Sequence, residues 1–162
     1  MRVLVTGANG FIGKNLVMHL EQETIVHKVV SFTRNHSVNY LPNLLKNVDF
    51  IFHLAGINRS ENPNEFVVGN NFLTEQLCSA IQAEDKKIPV VYTSSIQAEL
   101  NNTYGTSKRA AEDVLQNLQK INGNPIFIYR LPNVFGKWAR PNYNSAVATF
   151  SYNISRDQPI KI

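Results

Sequence analysis

Cysteine, tryptophan and methionine are scarce in this 162-residue chain, which has one, one and two of them. The single cysteine, Cys78, excludes an internal disulfide, and its apolar helical setting predicts a small buried thiol in a reducing cytoplasm. Four scattered histidines and one cysteine have no metal-ligand spacing. No apolar run approaches the about 20 residues that span a bilayer, and the run after Met1 is too short for a signal peptide. We therefore expect a cytoplasmic protein with no membrane segment and no metal.

Runs of one charge are also lacking. The chain has 16 Lys and Arg against 12 Asp and Glu, a net charge of +4 and a pI near 9.3. The basic residues are spread out and form no stripe interleaved with aromatic residues, so we predict no nucleic-acid partner. A phosphate-rich cofactor and a phosphorylated substrate explain the mildly basic composition equally well. A hydrophobic content of 43% suits one globular domain over residues 1–162.

Strand and helix patterns alternate along the chain. The predicted strands are Arg2–Thr6, Ile25–Thr33, Asp49–Ala55, Ile88–Ser94, Ile126–Leu131 and a possible last one at Pro159–Ile162. The predicted helices are Gly10–Leu20, Leu41–Lys46, Pro63–Glu84, Thr103–Ile121 and Asn144–Arg156. In the long helix from Pro63, the predicted inner residues are Phe66, Val67, Phe72, Leu73, Leu77 and Ile81. This alternation predicts an α/β fold with a Rossmann-like, doubly wound parallel sheet, whose ligands bind beyond the carboxyl ends of the strands.

The octapeptide TGANGFIG, at 6–13, follows the first predicted strand and opens the first predicted helix. Its glycines, Gly7, Gly10 and Gly13, permit a tight turn, close approach of the backbone to a pyrophosphate, and close packing of helix on strand. The helix N-terminus offers unpaired N–H groups to the phosphates. A merely flexible turn is the weaker interpretation, and we predict a dinucleotide site.

The end of the second strand distinguishes NAD from NADP. An acidic residue about 20 residues past the glycine loop would bind the ribose hydroxyls of NAD. This chain has Arg34 there and no carboxylate before Asp49. A guanidinium pairs well with a 2′-phosphate, so NADP(H) is favoured, although a solvated surface arginine remains the alternative.

Tyr104 and Lys108 are four residues apart, so one helix face presents both. A nearby ammonium is expected to lower the pKa of the phenol, which donates a proton during carbonyl reduction. Ser95, at the end of the preceding strand, is placed to hydrogen-bond the same carbonyl oxygen. The sequence therefore predicts proton transfer beside a dinucleotide.

These motifs, with DFIFHLAG at 49–56 and RLPNVFG at 130–136, resemble the extended short-chain dehydrogenase/reductases over the whole chain. The resemblance implies that Ser95, Tyr104 and Lys108 are catalytic and that Asn70 supports the active site. The implied cofactor-binding residues are Gly7, Asn9, Gly10, Phe11, Ile12, Gly13, Arg34, Leu54, Ala55, Gly56, Tyr104, Lys108, Leu131 and Asn133.

Within that family, HLAGINR at 53–59 and the segments at 94–108 and 130–150 resemble the capsular-polysaccharide and O-antigen reductases. This narrower resemblance implies NADPH-dependent reduction of a UDP-4-keto-6-deoxy amino sugar, towards UDP-N-acetyl-L-fucosamine. It also implies that this chain is the amino-terminal part of such an enzyme, without the rest of the substrate region and a cupin domain. The expected substrate-binding residues are Asn58, Arg59, Ser95, Asn133 and Lys137, with Trp138, Arg140 and Asn142 in the flanking loop.

Two rival functions stay open. A nucleotide-sugar 4-epimerase uses the same catalytic residues, and a dinucleotide-sensing module needs no proton donor. A dehydratase is disfavoured because Ile96 and Gln97 follow Ser95, where that enzyme class carries an acid and a base. The family also implies a homodimer through the Pro63–Glu84 and Thr103–Ile121 helices.

Overall fold

The computed structural model describes residues 1–84 and 86–160, which form an α/β fold around one parallel sheet. The strands are β1 (Arg2–Thr6), β2 (Lys28–Phe32), β3 (Phe50–His53), β4 (Val90–Ser95) and β5 (Ile126–Leu131). They pair in the order β2-β1-β3-β4-β5, and every pair is parallel. The predicted Rossmann-like fold is confirmed. Because the chain moves outward from β1 to β2 and then crosses back to β3, a crevice is expected beyond the carboxyl ends of β1 and β3.

Helices connect the strands. They are α1 (Phe11–Leu20), α2 (Leu41–Leu45), α3 (Pro63–Phe66), α4 (Leu73–Gln82), α5 (Thr103–Asn122) and α6 (Ala146–Ile154). Two 3₁₀ turns lie at Val38–Tyr40 and Ile96–Glu99, and a π-helical segment, Val67–Phe72, joins α3 to α4.

The core lies on both faces of the sheet because successive side chains of a strand point to opposite faces. On one face, Leu4 belongs to a buried cluster with residues of α2, α4 and α5, including Leu77 and Leu115. On the other face, Val3 and Val5 belong to a smaller cluster with Leu20 of α1. This packing holds the carboxyl end of β1 between the two helical layers.

Most predicted bounds agree with the structure to within two residues, but β2 starts later than predicted. Ile25 is 61% exposed, and its carbonyl accepts a hydrogen bond of 2.6 Å from the Met1 ammonium. The N–H of His27 donates to the Met1 carbonyl at 2.8 Å. The chain therefore turns here, and its apolar, β-branched composition did not reveal the turn. In the strand predicted at 159–162, Pro159 and Ile160 have no regular structure, and the last two positions lie outside the described residues.

The long helix from Pro63 departs from the predicted pattern in its middle. Leu77 and Ile81 are buried as predicted, but Val67 and Phe72 are 51% and 44% exposed. The π-helical segment causes this error, because its wider i→i+5 turn breaks the 3.6-residue period from which the inner face was assigned.

Candidate active site

The glycine loop after β1 brings the backbone of three elements close together. Gly7 has a φ of +70°, and a Cβ there would lie 2.7 Å from the backbone nitrogen of Ala55. A Cβ on Gly13 would lie 2.2 Å from the Gly7 carbonyl oxygen. Glycine is required at both positions, and it leaves a cradle of bare backbone at the end of β1. No side chain caps α1 at Gly10, so the first N–H groups of α1 are available to a phosphate, which fits a dinucleotide.

The other predicted residues of this loop surround the cradle. Asn9 is exposed, while Phe11 and Ile12 are half-buried at the start of α1. Leu54 packs on the α1 side of the sheet, and Ala55 donates its N–H to Oγ1 of Thr6 at 3.2 Å. The ends of β1 and β3 thus form one continuous floor.

Arg34 lies in a turn at the end of β2. His36 closes the turn with two hydrogen bonds. Its ring Nδ1 accepts from the Thr33 N–H at 3.1 Å, and its backbone N–H donates to the Thr33 carbonyl at 3.0 Å. The His36 ring also stacks on Phe32 at 5.7 Å. Arg34 is exposed in this turn, which places it beside the carboxyl end of β2.

The start of α5 is packed tightly against the turn that follows β4. The Asn102 side chain caps α5 by accepting a hydrogen bond of 2.7 Å from the Gly105 N–H. A Cβ on Gly105 would lie 2.1 Å from the Gln97 carbonyl oxygen, so this close approach requires glycine. Ser95 accepts a hydrogen bond of 3.2 Å from the Gln97 N–H, and its side chain is close enough to Tyr104 to oppose the rise in the pKa of that phenol. Ser95 and Tyr104 therefore lie on either side of this turn, at the end of β4 and the start of α5, and their catalytic roles stay predictions.

The pKa of Tyr104 and the hydrogen-bond partners of Lys108 differ from those expected for a phenol paired with an ammonium. Burial raises the pKa of Tyr104, while the hydrogen bond with Ser95 acts in the opposite direction. The Lys108 ammonium donates to the Tyr92 hydroxyl at 3.1 Å and the Thr93 carbonyl at 2.8 Å. The pKa of Tyr104 is therefore raised by burial, in contrast to the lowered pKa expected from a nearby ammonium. Tyr104 keeps its proton at neutral pH, as a proton donor must.

Burial also controls Lys108 itself. Burial lowers the pKa of Lys108 to about 8, and the charge of Glu112 opposes that change. The charged form of this lysine is thus retained at neutral pH with little margin.

A buried carboxylate network beneath the site was not found from the sequence. The Ser94 hydroxyl donates a short hydrogen bond to Glu112, which is only 2% exposed. Arg130 of β5 donates to both Glu112 oxygens, from Nε at 3.0 Å and from Nη2 at 2.6 Å. Its Nη1 also contacts Glu99 at 2.9 Å. The available signal was the position of Glu112, one helical turn after Lys108 on the same face of α5.

Asn70 lies in the π-helical segment and joins the loop after β3 to α5. Its amide nitrogen donates to the Ile57 carbonyl at 3.0 Å and to the Ser107 hydroxyl at 2.9 Å. Its amide oxygen accepts from the Ile57 N–H at 2.9 Å. A Cβ on Gly56 would lie 2.7 Å from that oxygen and 3.4 Å from the Lys108 Nζ. Gly56 therefore lies between the Asn70 side chain and the Lys108 ammonium, and the supporting role that the family resemblance implied for Asn70 stays a prediction.

The loops after β3 and β5 meet at Tyr143. Its hydroxyl donates to the Asn58 side chain at 3.1 Å, and its carbonyl accepts a 3.4 Å hydrogen bond from Arg59. The guanidinium groups of Arg59 and Arg140 lie 5.7 and 5.6 Å from the centre of its ring. In the described chain, neither arginine makes a salt bridge. Positive charge thus collects at the rim of the crevice.

The remaining predicted residues lie along the same loop. Leu131 is the register partner of Ser95, and Asn133 donates to the Asn144 carbonyl at 3.3 Å. The Lys137 carbonyl accepts from the Asn15 side chain at 2.8 Å, which ties the loop to α1. The loop after β5 therefore contacts α1 through Lys137 and the loop after β3 through Tyr143.

Comparison with known proteins identifies the family. A family model described as the NAD dependent epimerase/dehydratase family matches residues 3–162. The chain belongs to this family. It is 61% identical, over its whole length, to the UDP-2-acetamido-2,6-beta-L-arabino-hexul-4-ose reductase of Pseudomonas aeruginosa, of which it covers 43%.

Solved structures agree with this assignment. The capsular polysaccharide assembling protein CapF from Staphylococcus aureus is 41% identical, with a TM-score of 0.85, and 44% of it is covered. The UDP-glucuronic acid 4-epimerase from Bacillus cereus, solved with NAD, is 22% identical with a TM-score of 0.86 and shares the fold. The chain thus spans less than half the length of its reductase and CapF relatives.

Two further observations concern metals and membranes. Across residues 1–84 and 86–160, no three His, Cys, Asp or Glu side chains form a group suited to a metal ion. Over the same residues, every helix is too short or too polar to cross a bilayer.

Proposed function

We propose that this chain is the cofactor-binding and catalytic part of an NADPH-dependent reductase acting on a UDP-linked 4-keto-6-deoxy amino sugar, towards UDP-N-acetyl-L-fucosamine. The observation that carries this proposal is the start of α5, which presents Tyr104 and, one helical turn further on, the buried Lys108 after the turn that follows Ser95. The 61% identity with a UDP-keto-sugar reductase supports the substrate class.

The side chains have distinct tasks in this reaction. When bound, the reduced nicotinamide supplies a hydride to the carbonyl carbon. Tyr104 gives its proton to the carbonyl oxygen, on which negative charge develops, and Ser95 hydrogen-bonds the same oxygen. The positive charge of Lys108 favours the phenolate that Tyr104 becomes. The products are an alcohol and the oxidised cofactor, and solvent returns the proton to Tyr104.

Cofactor choice follows Arg34 in this proposal, because its guanidinium is suited to a 2′-phosphate. Arg34→Asp should weaken NADPH binding by about 1.5–3 kcal/mol, the range for hydrogen bonds to charged groups, and leave NADH binding nearly unchanged. Fluorescence titration of both cofactors measures this. Arg156→Asp is the control, since it makes the same charge change on an exposed residue of the carboxyl-terminal region. An equal loss for both cofactors would show that Arg34 does not contact the 2′-phosphate.

Substrate binding is assigned to the rim of the crevice. The loop after β3 contains Asn58 and Arg59, and the loop after β5 contains Asn133 and Lys137. The arginines beside Tyr143, where these loops meet, suit a nucleoside diphosphate. The chain spans under half of the length of its reductase relative. We propose that these 162 residues suffice to bind the dinucleotide, whereas efficient sugar reduction needs the longer protein.

The test of function is turnover in the full-length enzyme. With UDP-4-keto-6-deoxy amino sugar present, NADPH absorbance should fall in proportion to the alcohol formed. Tyr104→Phe removes the proton but keeps the ring, so kcat should fall about 10²- to 10⁴-fold while cofactor affinity is kept. Sugar interconversion without net NADPH consumption would indicate a 4-epimerase instead. Cofactor binding without any turnover would indicate a dinucleotide-sensing module.

A further inference from the structure

A buried line of hydrogen bonds runs beneath the candidate site from β1 to α4. Oγ1 of Thr6 lies 2.7 Å from Nδ1 of His53, and Nε2 of His53 lies 2.9 Å from Oγ1 of Thr74. Thr74 donates in turn to the Asn70 carbonyl at 2.5 Å. Thr6, His53 and Thr74 are each at most 1% exposed. This line, Thr6–His53–Thr74–Asn70, is not used by the proton transfer proposed above.

The direction of these hydrogen bonds is fixed by counting protons. The backbone carbonyl of Asn70 has no proton, so the Thr74 hydroxyl must donate to it. The Thr74 hydroxyl then accepts from Nε2–H of His53. His53 therefore has an unprotonated Nδ1, which accepts from the Thr6 hydroxyl. Thr6 is left free to accept the Ala55 N–H at 3.2 Å. The opposite tautomer would place two acceptors, Thr74 Oγ1 and the Asn70 carbonyl, face to face without a proton.

His53 keeps one charge state as well as one tautomer. Burial, and secondarily the charge of Lys108, lowers the pKa of His53 to about 3. The ring also stacks on Tyr92 at 5.3 Å, and Tyr92 accepts a hydrogen bond from Lys108. A neutral, fully bonded ring is suited to holding its neighbours in place rather than to moving a proton.

The end of the line acts on the π-helical segment. Threonine bonds of this kind, from a hydroxyl to the carbonyl four residues earlier, perturb a helix locally. Here the bond fixes the backbone of Asn70, whose side chain is hydrogen-bonded to Ile57 and to Ser107, the residue before Lys108. The other end is Thr6, which directly precedes the glycine loop.

We propose that His53 is a positioning residue: through Thr74 it fixes the π-helical turn at Asn70, and through Thr6 it ties that turn to the glycine loop. The kinetic part of this inference rests on the proposed reductase function. The line couples the cofactor-binding and proton-donating halves of the site through a ring that never titrates near neutral pH.

The variants that test the proposal act on Thr74. Thr74→Val removes the hydroxyl with little change of shape, whereas Thr74→Ser retains it. Ile81→Val, on the same helix and fully buried, is the control for altered core packing. In the full-length enzyme, Thr74→Val should lower kcat about 10- to 100-fold, because small displacements at a reacting centre cost this much. The dissociation constant for NADPH should change less than about twofold, because no cofactor contact is removed.

Rescue by serine distinguishes positioning from packing. We expect Thr74→Ser and Ile81→Val to keep most of the wild-type kcat. Wild-type kcat in Thr74→Val, or an equal loss in Thr74→Val and Thr74→Ser, would overturn the proposal.

Two measurements on the 162-residue chain do not need turnover. In ¹⁵N-labelled protein, His53 should show the Nε2–H tautomer from neutral to mildly acidic pH; an Nδ1–H or doubly protonated ring would overturn the proposal. Exchange of the Ile57 amide, which donates to Asn70, should be faster in Thr74→Val than in Ile81→Val, and equal rates would also overturn it. If the wild-type enzyme has no reductase turnover, the proposed function fails while these readouts still decide the role of His53.

Discussion

Glu112 offers a sharp test because it links the charge of Lys108 to the structure beneath the site. Glu112→Gln removes the carboxylate charge and keeps nearly the same shape. Glu112 raises the pKa of Lys108, against the lowering by burial. The variant should therefore lower the pKa of Lys108 further. Activity that needs the ammonium is lost as pH rises, and in the variant this loss should begin at a lower pH than in the wild type.

The size of this change follows from the helix geometry. Residues one turn apart have Cβ atoms about 5–6 Å apart. At a charge separation of about 7 Å and an effective dielectric constant of about 20, one unit charge contributes about 2 kcal/mol, or about 1.5 pKa units. Arg130 sits 2.6 Å from Glu112 and cancels part of that field. We therefore expect the alkaline limb of the kcat profile, near pH 8 in the wild type, to move down by about 0.5–1 unit.

The assay is the pH dependence of kcat in the full-length enzyme, with Glu99→Gln as control. Glu99 contacts the same arginine but its side chain is 68% exposed, so its removal should leave the alkaline limb in place. An unchanged or upward-shifted limb in Glu112→Gln would refute the assigned role of Glu112.

Stability provides a second readout for the same variant. Burial alone would raise the pKa of Glu112, but hydrogen bonds from Arg130 and Ser94 outweigh burial and lower it. A carboxyl with a lowered folded pKa stabilises the fold above its ordinary pKa, and this stabilisation is lost as pH falls through the lowered value. The Tm difference between wild type and Glu112→Gln should therefore shrink on acidification. A difference that stays constant with pH would contradict this account.

Two other predictions concern packing. Gly105→Ala places a Cβ 2.1 Å from the Gln97 carbonyl oxygen. It should therefore lower the free energy of unfolding by about 1–3 kcal/mol, despite the better helix propensity of alanine. Chemical denaturation measures this, and an unchanged midpoint would contradict the tight packing of α5. Burial, and secondarily Glu75, raises the pKa of the Cys78 thiol to about 12, so alkylation by iodoacetamide at pH 8 should be about 10³-fold slower than for a free thiol. Rapid labelling of the folded chain would show that Cys78 is accessible.

Sequence patterns predicted the parts of this protein that depend on local structure. The bounds of β1, the glycine loop and the start of α1 follow from a short apolar run and from glycines whose missing Cβ atoms are needed for close packing. Tyr104 and Lys108 share a helix face because of their spacing, and Ser95 lies at the carboxyl edge of the sheet because it ends a parallel strand. The family resemblance added Asn70, whose hydrogen bonds to Ile57 and Ser107 no periodicity indicates.

Tertiary structure decided what depends on contacts between distant segments. The π-helical segment breaks the helical period, so Val67 and Phe72 are exposed where the sequence predicted buried residues. Burial raises the pKa of Tyr104 against the opposing effect of Ser95, and burial depends on the packed structure around the residue. Arg130 lies 18 residues after its partner Glu112, and Thr6 lies 47 residues before its partner His53. Only the assembled sheet brings each pair together. A single sequence records which polar groups are present, whereas their pairing in the core is decided by packing.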